Sequence, residues 1–170
     1  MILRNGICLL VILFWGVLNG SAYAQQEQAE AILDVSYSGV EGELADNVES
    51  YLGILEYAGQ PAPSIFRVRF LARRGEEEIK NALKPFGYYH TEVTSEITST
   101  PEEIAVNYAI TLGQRTQIRE VNITIEGDLA NDDAYQSLRQ RLPVEVGAPL
   151  VHSEYERTKT MLRNLAAERG

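Results

Sequence analysis

The chain has 170 residues and carries 24 acidic against 15 basic side chains, a formal charge of -9. Proteins that grip phosphate backbones concentrate Lys and Arg, so nucleic-acid binding and attachment to anionic lipid surfaces are both disfavoured. With 45% apolar and 23% charged residues, the composition is that of one or two small globular domains, and wholesale disorder is excluded.

Residues 1–24 read as a secretory signal peptide. Arg4 stands in a short polar start, the apolar run Ile7 to Leu18 follows, and Ala22-Tyr23-Ala24 precedes Gln25. Ala22 and Ala24 suit the small-residue pockets of a signal peptidase, so cleavage is expected between Ala24 and Gln25. The apolar run falls short of the about 20 residues that a spanning helix needs. Cys8 lies inside this run, without the small-residue context of a lipoprotein site. Removing the segment takes away Arg4, no acidic residue, and both Cys8 and Trp15, the only residues of their types. The mature chain would then have no disulfide and no cysteine nucleophile or metal ligand, although its address is an oxidising compartment.

After a short linker, 25–30, the chain repeats itself. Leu33 to Gly39 and Val121 to Gly127 both alternate apolar and polar residues and close on a glycine, the pattern of a strand with one buried face. Downstream, the stretch Ile79 to Gly87 is similar to Met161 to Gly170. In the first copy, Glu43 to Leu55 places Leu44, Val48, Tyr51, Leu52 and Leu55 on one helix face, with acidic Glu41, Glu43 and Asp46 near its N-terminus. A loop through Gly59, Pro61 and Pro63 leads to a longer helix from about Ser64 to Phe86. Its inner stripe is Val68, Leu71, Ala72, Gly75, Ile79, Ala82, Leu83 and Phe86, and Pro85 and Gly87 close it. Two strands follow. In Tyr88 to Thr98, Tyr89, Val93 and Ile97 alternate with His90, Glu92, Thr94, Glu96 and Thr98. In Ile104 to Leu112 the apolar set is more complete, as expected of a central strand.

This makes a β-α-α-β-β unit over 31–113, an α+β fold with two helices on a three-stranded mixed sheet. A second unit, 117–170, starts the same way. A strand is expected over Ile118 to Gly127, then a helix opened by Asn131 or Asp132 and carrying Ala134, Tyr135, Leu138 and Leu142. Pro143 ends that helix. A second helix begins at the capping box Ser153 to Glu156 and is expected to bury Tyr155, Met161, Leu162 and Leu165. The last two strands of this unit are missing from the sequence, so it reads as incomplete. Gly39, Gly87 and Gly127 are assigned to turns or caps.

The order of elements, the repeat and the export signal together resemble polypeptide-transport-associated (POTRA) domains of the outer-membrane insertase superfamily that includes BamA. The stretch Ala82 to His90, with Phe86-Gly87-Tyr88-Tyr89 at its centre, and Gly147-Ala-Pro149-Leu150 carry the resemblance. Within that superfamily the chain is most similar to the N-terminal region of translocation and assembly module subunits, the TamA family. The resemblance implies a periplasmic module that receives unfolded outer-membrane or autotransporter polypeptides, with a TamB-like inner-membrane-anchored partner and a C-terminal barrel that this chain does not contain. POTRA modules of two-partner-secretion or cell-division proteins are the alternative within the same fold.

Catalysis has little to build on. Only His90 and His152 could serve as a base for a nucleophile in a secreted hydrolase, no metal-binding or calcium-loop spacing occurs, and no cofactor is expected. Glu76-Glu77-Glu78 fans out around a helix and reads as a solvated face. What remains is backbone. The resemblance makes the strand after the second helix an edge that a client strand can join, here Tyr88, Tyr89, His90, Glu92, Thr94, Ser95, Glu96 and Thr98. Glu92 and Glu96 would alternatively blunt that edge against aggregation. Whether its outward amides belong to odd or even residues is not encoded in the alternation.

Overall fold

Three alternating segments form one sheet. A computed structural model describes residues 30–169, so the signal-peptide reading, with Ala22, Ala24 and Gln25, lies outside the described residues. β1 (Ile32–Ser38) runs parallel to β3 (Glu103–Thr111), and β2 (Glu92–Ser99) pairs antiparallel with β3, giving the order β1-β3-β2. The central position of β3 follows from its pattern. Ile104, Val106, Tyr108 and Ile110 are buried on one face, while Glu103, Asn107, Ala109 and Thr111 are exposed on the other.

That buried face is covered by α1 (Glu43–Tyr51) and α2 (Ile65–Leu83). The Ser64 hydroxyl accepts from the Arg67 N–H at the start of α2. Every interior residue expected of α2 from Val68 to Leu83 is buried. The helix then tightens into a 3-10 turn, Lys84–Phe86, in which Phe86 is only half-buried. The first helix is shorter than its periodicity implies. It stops at Tyr51, which is half exposed, and a 3-10 turn, Gly53–Tyr57, brings Leu52 and Ile54 into the core instead. The Glu78 carboxylate accepts the Gly53 N–H at 2.9 Å, satisfying a donor that the new turn leaves free.

α2 lies close on β3 at Gly75. A Cβ on Gly75 would stand 2.3 Å from the Tyr108 hydroxyl and 2.9 Å from a Leu52 methyl. Glycine there lets the Tyr108 phenol pass beneath the helix, where its hydroxyl donates to the Ala72 carbonyl at 3.2 Å. Burial, with the Glu76 and Glu78 carboxylates nearby, pushes the Tyr108 phenol well above its usual range.

The second unit is built differently from the first. The alternation of Val121, Ile123 and Ile125 survives as half-buried residues between exposed neighbours, but 118–127 forms no strand. In the first unit the corresponding strand pairs only with the last strand of its unit, and among the described residues no strand pairs with 119–127. Ile118 is bonded to Gly147 and Ala148, but beyond it the alternating segment has no ladder partner and forms no strand. A hollow of about 470 Å3 lies between it and the last helix, lined by residues such as Val121, Ile123, Thr158 and Leu162.

Asp132 caps α3 (Asp133–Arg139) by accepting the Ala134 N–H at 2.7 Å, and Tyr135, Leu138 and Leu142 are buried as expected. α4 runs over His152–Arg169, so it begins one residue before the expected capping box and Ser153 lies inside the helix. Thr158 is its buried residue, Tyr155 is 52% exposed, and Met161, Leu162 and Leu165 are half-buried.

A narrow joint ties the two units. The Thr116 N–H donates to the Gly87 carbonyl at 2.9 Å, and the Leu150 N–H donates to the Thr116 carbonyl at 2.8 Å. Arg115 donates from Nε to the Phe86 carbonyl at 2.7 Å and lays its guanidinium over the Tyr88 ring. Gly87 adopts a φ of 91°, and a side chain on it would collide with the Leu150 carbonyl. Gly39 and Gly127 also turn with positive φ, 98° and 81°.

Candidate polypeptide-binding edge

The expected edge strand is shorter than its alternation implies. Tyr88, Tyr89 and His90 stand before β2 and belong to the joint rather than to the edge. Tyr89 is 38% exposed, and its hydroxyl lies 2.6 Å from Nε2 of His152 on α4. Thr91 is buried, its hydroxyl donating towards the Tyr88 and Leu112 carbonyls. From Glu92 onward the alternation holds. Glu92, Thr94, Glu96 and Thr98 are exposed, Val93 is buried, and Ser95 and Ile97 are half-buried against the helix layer.

The direction of the backbone groups is set by one contact. Glu76, on α2, accepts both the Ser95 N–H at 3.0 Å and the Ser95 hydroxyl at 2.6 Å through a single carboxylate oxygen. The Ser95 N–H therefore points away from β3. In an antiparallel ladder, successive residues direct their N–H and C=O groups to opposite sides. Val93, Ser95 and Ile97 thus present their backbone groups outward, while Glu92, Thr94, Glu96 and Thr98 bond to β3.

The opposite edge is treated differently. On the outer side of β1, the Leu33 N–H donates to the Gln60 carbonyl at 3.0 Å, and the Leu33 carbonyl accepts from Gly59 at 2.8 Å. The Ala62 N–H donates to the Ala31 carbonyl at 2.7 Å, and Ile32 bridges to Pro61. Tyr37, further along β1, gives its hydroxyl proton to Glu49 on α1, and this bond pushes the Tyr37 phenol up to about 12.

Beside β2 and beneath α2 runs a groove of about 590 Å3, lined by Phe66, Arg69, Ala72, Arg73, Glu76, Ser95 and Ile97. Phe66 is 78% exposed and Phe70 is 49% exposed, with the Arg67 guanidinium over the Phe70 ring. The acidic run of α2 is not a uniform solvated face. Glu77 is exposed and pairs with Lys80 at 2.8 Å, which holds its carboxyl below the usual range. Glu78 binds Gly53 and Arg74, and Glu76 binds the edge. These two roles were hidden because they depend on how α2 is rotated over the sheet. Among the described residues no group of three His, Cys, Asp or Glu side chains gathers as a metal site. No helix among them is long and apolar enough to cross a membrane.

A β-α-α-β-β unit with the order β1-β3-β2, two helices on one face and β2 at an edge has the architecture of a POTRA domain. Residues 34–112, nearly the whole of the first unit, match the family described as POTRA domain TamA domain 1. Among solved structures, Haemophilus influenzae BamA POTRA3-5 is similar with a TM-score of 0.43 and 20% identity, over 81% of this chain and 50% of that one. BamA from Haemophilus ducreyi lacking POTRA domains 1-3 gives a TM-score of 0.43 and 20% identity, over 79% of this chain and 24% of that one. This chain therefore spans half or less of each of those structures. No curated protein matches it in sequence.

Proposed function

We propose that this chain is a periplasmic polypeptide-binding and scaffolding module of an outer-membrane assembly factor, working without catalysis. The observation that carries the reading is a β2 edge whose outward backbone groups lie open, apart from one side chain, in a domain of the POTRA family. Strand addition reads extended backbone before side chains, which suits a module that takes many unfolded clients. Export would follow cleavage between Ala24 and Gln25. Domains over 31–113 and 117–170 would form the start of a periplasmic arm, with autotransporters among the clients and a TamB-like protein anchored in the inner membrane as partner. In a longer protein, a barrel would hold the arm at the outer membrane.

Two prolines test the edge. Ser95→Pro removes an outward N–H and is expected to leave the sheet intact while weakening the binding of an unfolded outer-membrane polypeptide by about tenfold, as one lost interface hydrogen bond and a steric clash imply. Thr94→Pro removes a ladder bond to β3 and is expected to destabilise the fold instead. Circular dichroism separates the two effects. A folded Ser95→Pro protein that binds clients as tightly as the parent would remove the edge from consideration. Peptide mapping of the exported chain checks its address, with Gln25 expected at the new N-terminus.

A further inference from the structure

The groove beside β2 has a chemistry of its own. Arg69 and Arg73 stand one turn apart on α2, both exposed, and neither makes an ion pair among the described residues. Like charges four residues apart repel one another, so an incoming anion would be favoured there. Glu76, three residues beyond Arg73, has the spacing to neutralise it. The carboxylate turns instead to the edge strand and takes the two Ser95 donors. On a chain of formal charge -9, this groove therefore carries two unpaired guanidinium groups, and its one carboxylate is engaged with the backbone. Phe66, the most exposed of the large apolar side chains described, and the half-buried Ile97 supply an apolar wall.

Resting on the strand-addition reading above, we infer that the groove selects extended segments carrying, on the face turned toward α2, an acidic side chain beside an aromatic or aliphatic one. Glu76 is the internal occupant that such a segment displaces. A strand laid along β2 turns alternate side chains toward the helix layer, as Val93, Ser95 and Ile97 do. Its backbone carbonyl takes over the Ser95 N–H from Glu76, its carboxylate meets Arg69 and Arg73, and its apolar side chain covers Phe66. Once released, Glu76 can turn back to Arg73. The partner is thus an acidic, apolar extended polypeptide, and basic segments are disfavoured at this groove even though the chain as a whole is acidic.

The experiment uses two end-capped synthetic decapeptides in which phenylalanine and either glutamate or lysine take turns at every second position, with threonine between them, so that both side chains lie on one face of the extended chain. Their binding to the purified chain is read by fluorescence anisotropy, and the edge amides are followed by NMR hydrogen exchange. The glutamate peptide is expected to bind at least about fivefold more tightly, the scale of an exposed ion pair, and to protect the Val93, Ser95 and Ile97 amides. Arg69→Glu with Arg73→Glu should invert the preference. Glu76→Ala and, more mildly, Glu76→Gln should tighten both peptides, with thermal unfolding confirming that each variant is folded. If both peptides protect the edge amides with equal affinity and Glu76→Ala changes nothing, the selective groove is overturned while strand addition stands. If neither peptide protects those amides, strand addition itself fails, and this inference fails with it.

Discussion

The two edges of the sheet are closed by different means. β1 is held along Ala31 to Leu33 by backbone groups of the loop Gly59–Ala62, whereas β2 is held at Ser95 by the end of one flexible carboxylate. A backbone clasp opens only if the loop comes away from the core. A side-chain clasp opens by rotation about a few bonds, on the timescale of ordinary rotamer changes. The sheet thus has one edge clasped by backbone over Ala31 to Leu33 and one clasped by a single side chain at Ser95, and on the function proposed above the second is the one a client would exchange.

The difference rests on how closely α2 lies on β3, and Gly75 sets that distance. Gly75→Ala would press on Tyr108 and Leu52, so a loss of about 1–3 kcal/mol is expected from overpacking. Urea denaturation measures it. Lifting the helix should free the β2 clasp before the β1 clasp, and an alanine variant as stable as the parent would break this account of the asymmetry.

A smaller effect is read residue by residue. In the unliganded chain, the Leu33 amide should exchange slowly, Val93 and Ile97 quickly, and Ser95 in between. Glu76→Ala should bring Ser95 to the rate of its open neighbours and leave Leu33 unchanged. Equal protection of Leu33 and Val93 would remove the contrast between the edges.

Alkaline titration offers a spectroscopic check on the β1 side. The folded state favours the neutral phenol of Tyr37, raising it from about 10 to about 12, and does the same more strongly for Tyr108. The stability these groups contribute is present below pH 10 and is lost as the pH rises through the folded values. Ultraviolet absorbance should therefore show Tyr37 ionising near pH 12, with the urea midpoint falling between pH 10 and 12. Ionisation at the pH of a free tyrosine would show that the Glu49 bond does not hold in solution. The smallest effect is expected at Glu77, whose exposed carboxylate pairs with Lys80 at the surface, so Glu77→Gln should leave the melting temperature nearly unchanged.

Much of this architecture is legible in the residues. The stripe from Val68 to Leu83 recurs at helical spacing and is buried throughout, and the fuller apolar set of β3 marks the centre of the sheet. Side-chain alternation reports which face a residue takes but not which way its N–H points, so the outward set Val93, Ser95 and Ile97 emerges only with the Glu76 contact. Tyr88 and Tyr89 carry the aromatic character of a strand, yet the joint claims them through Arg115 and His152. In the second unit the alternation from Val121 to Ile125 is present without a strand, because a ladder needs a partner that local sequence does not supply.

The joint at Gly87 carries a mechanical consequence. The residues leading into β2 are gripped by the start of the second unit through Phe86, Gly87 and Tyr88. A twist applied to the second unit therefore arrives at the root of β2 as torque instead of being lost in a slack tether.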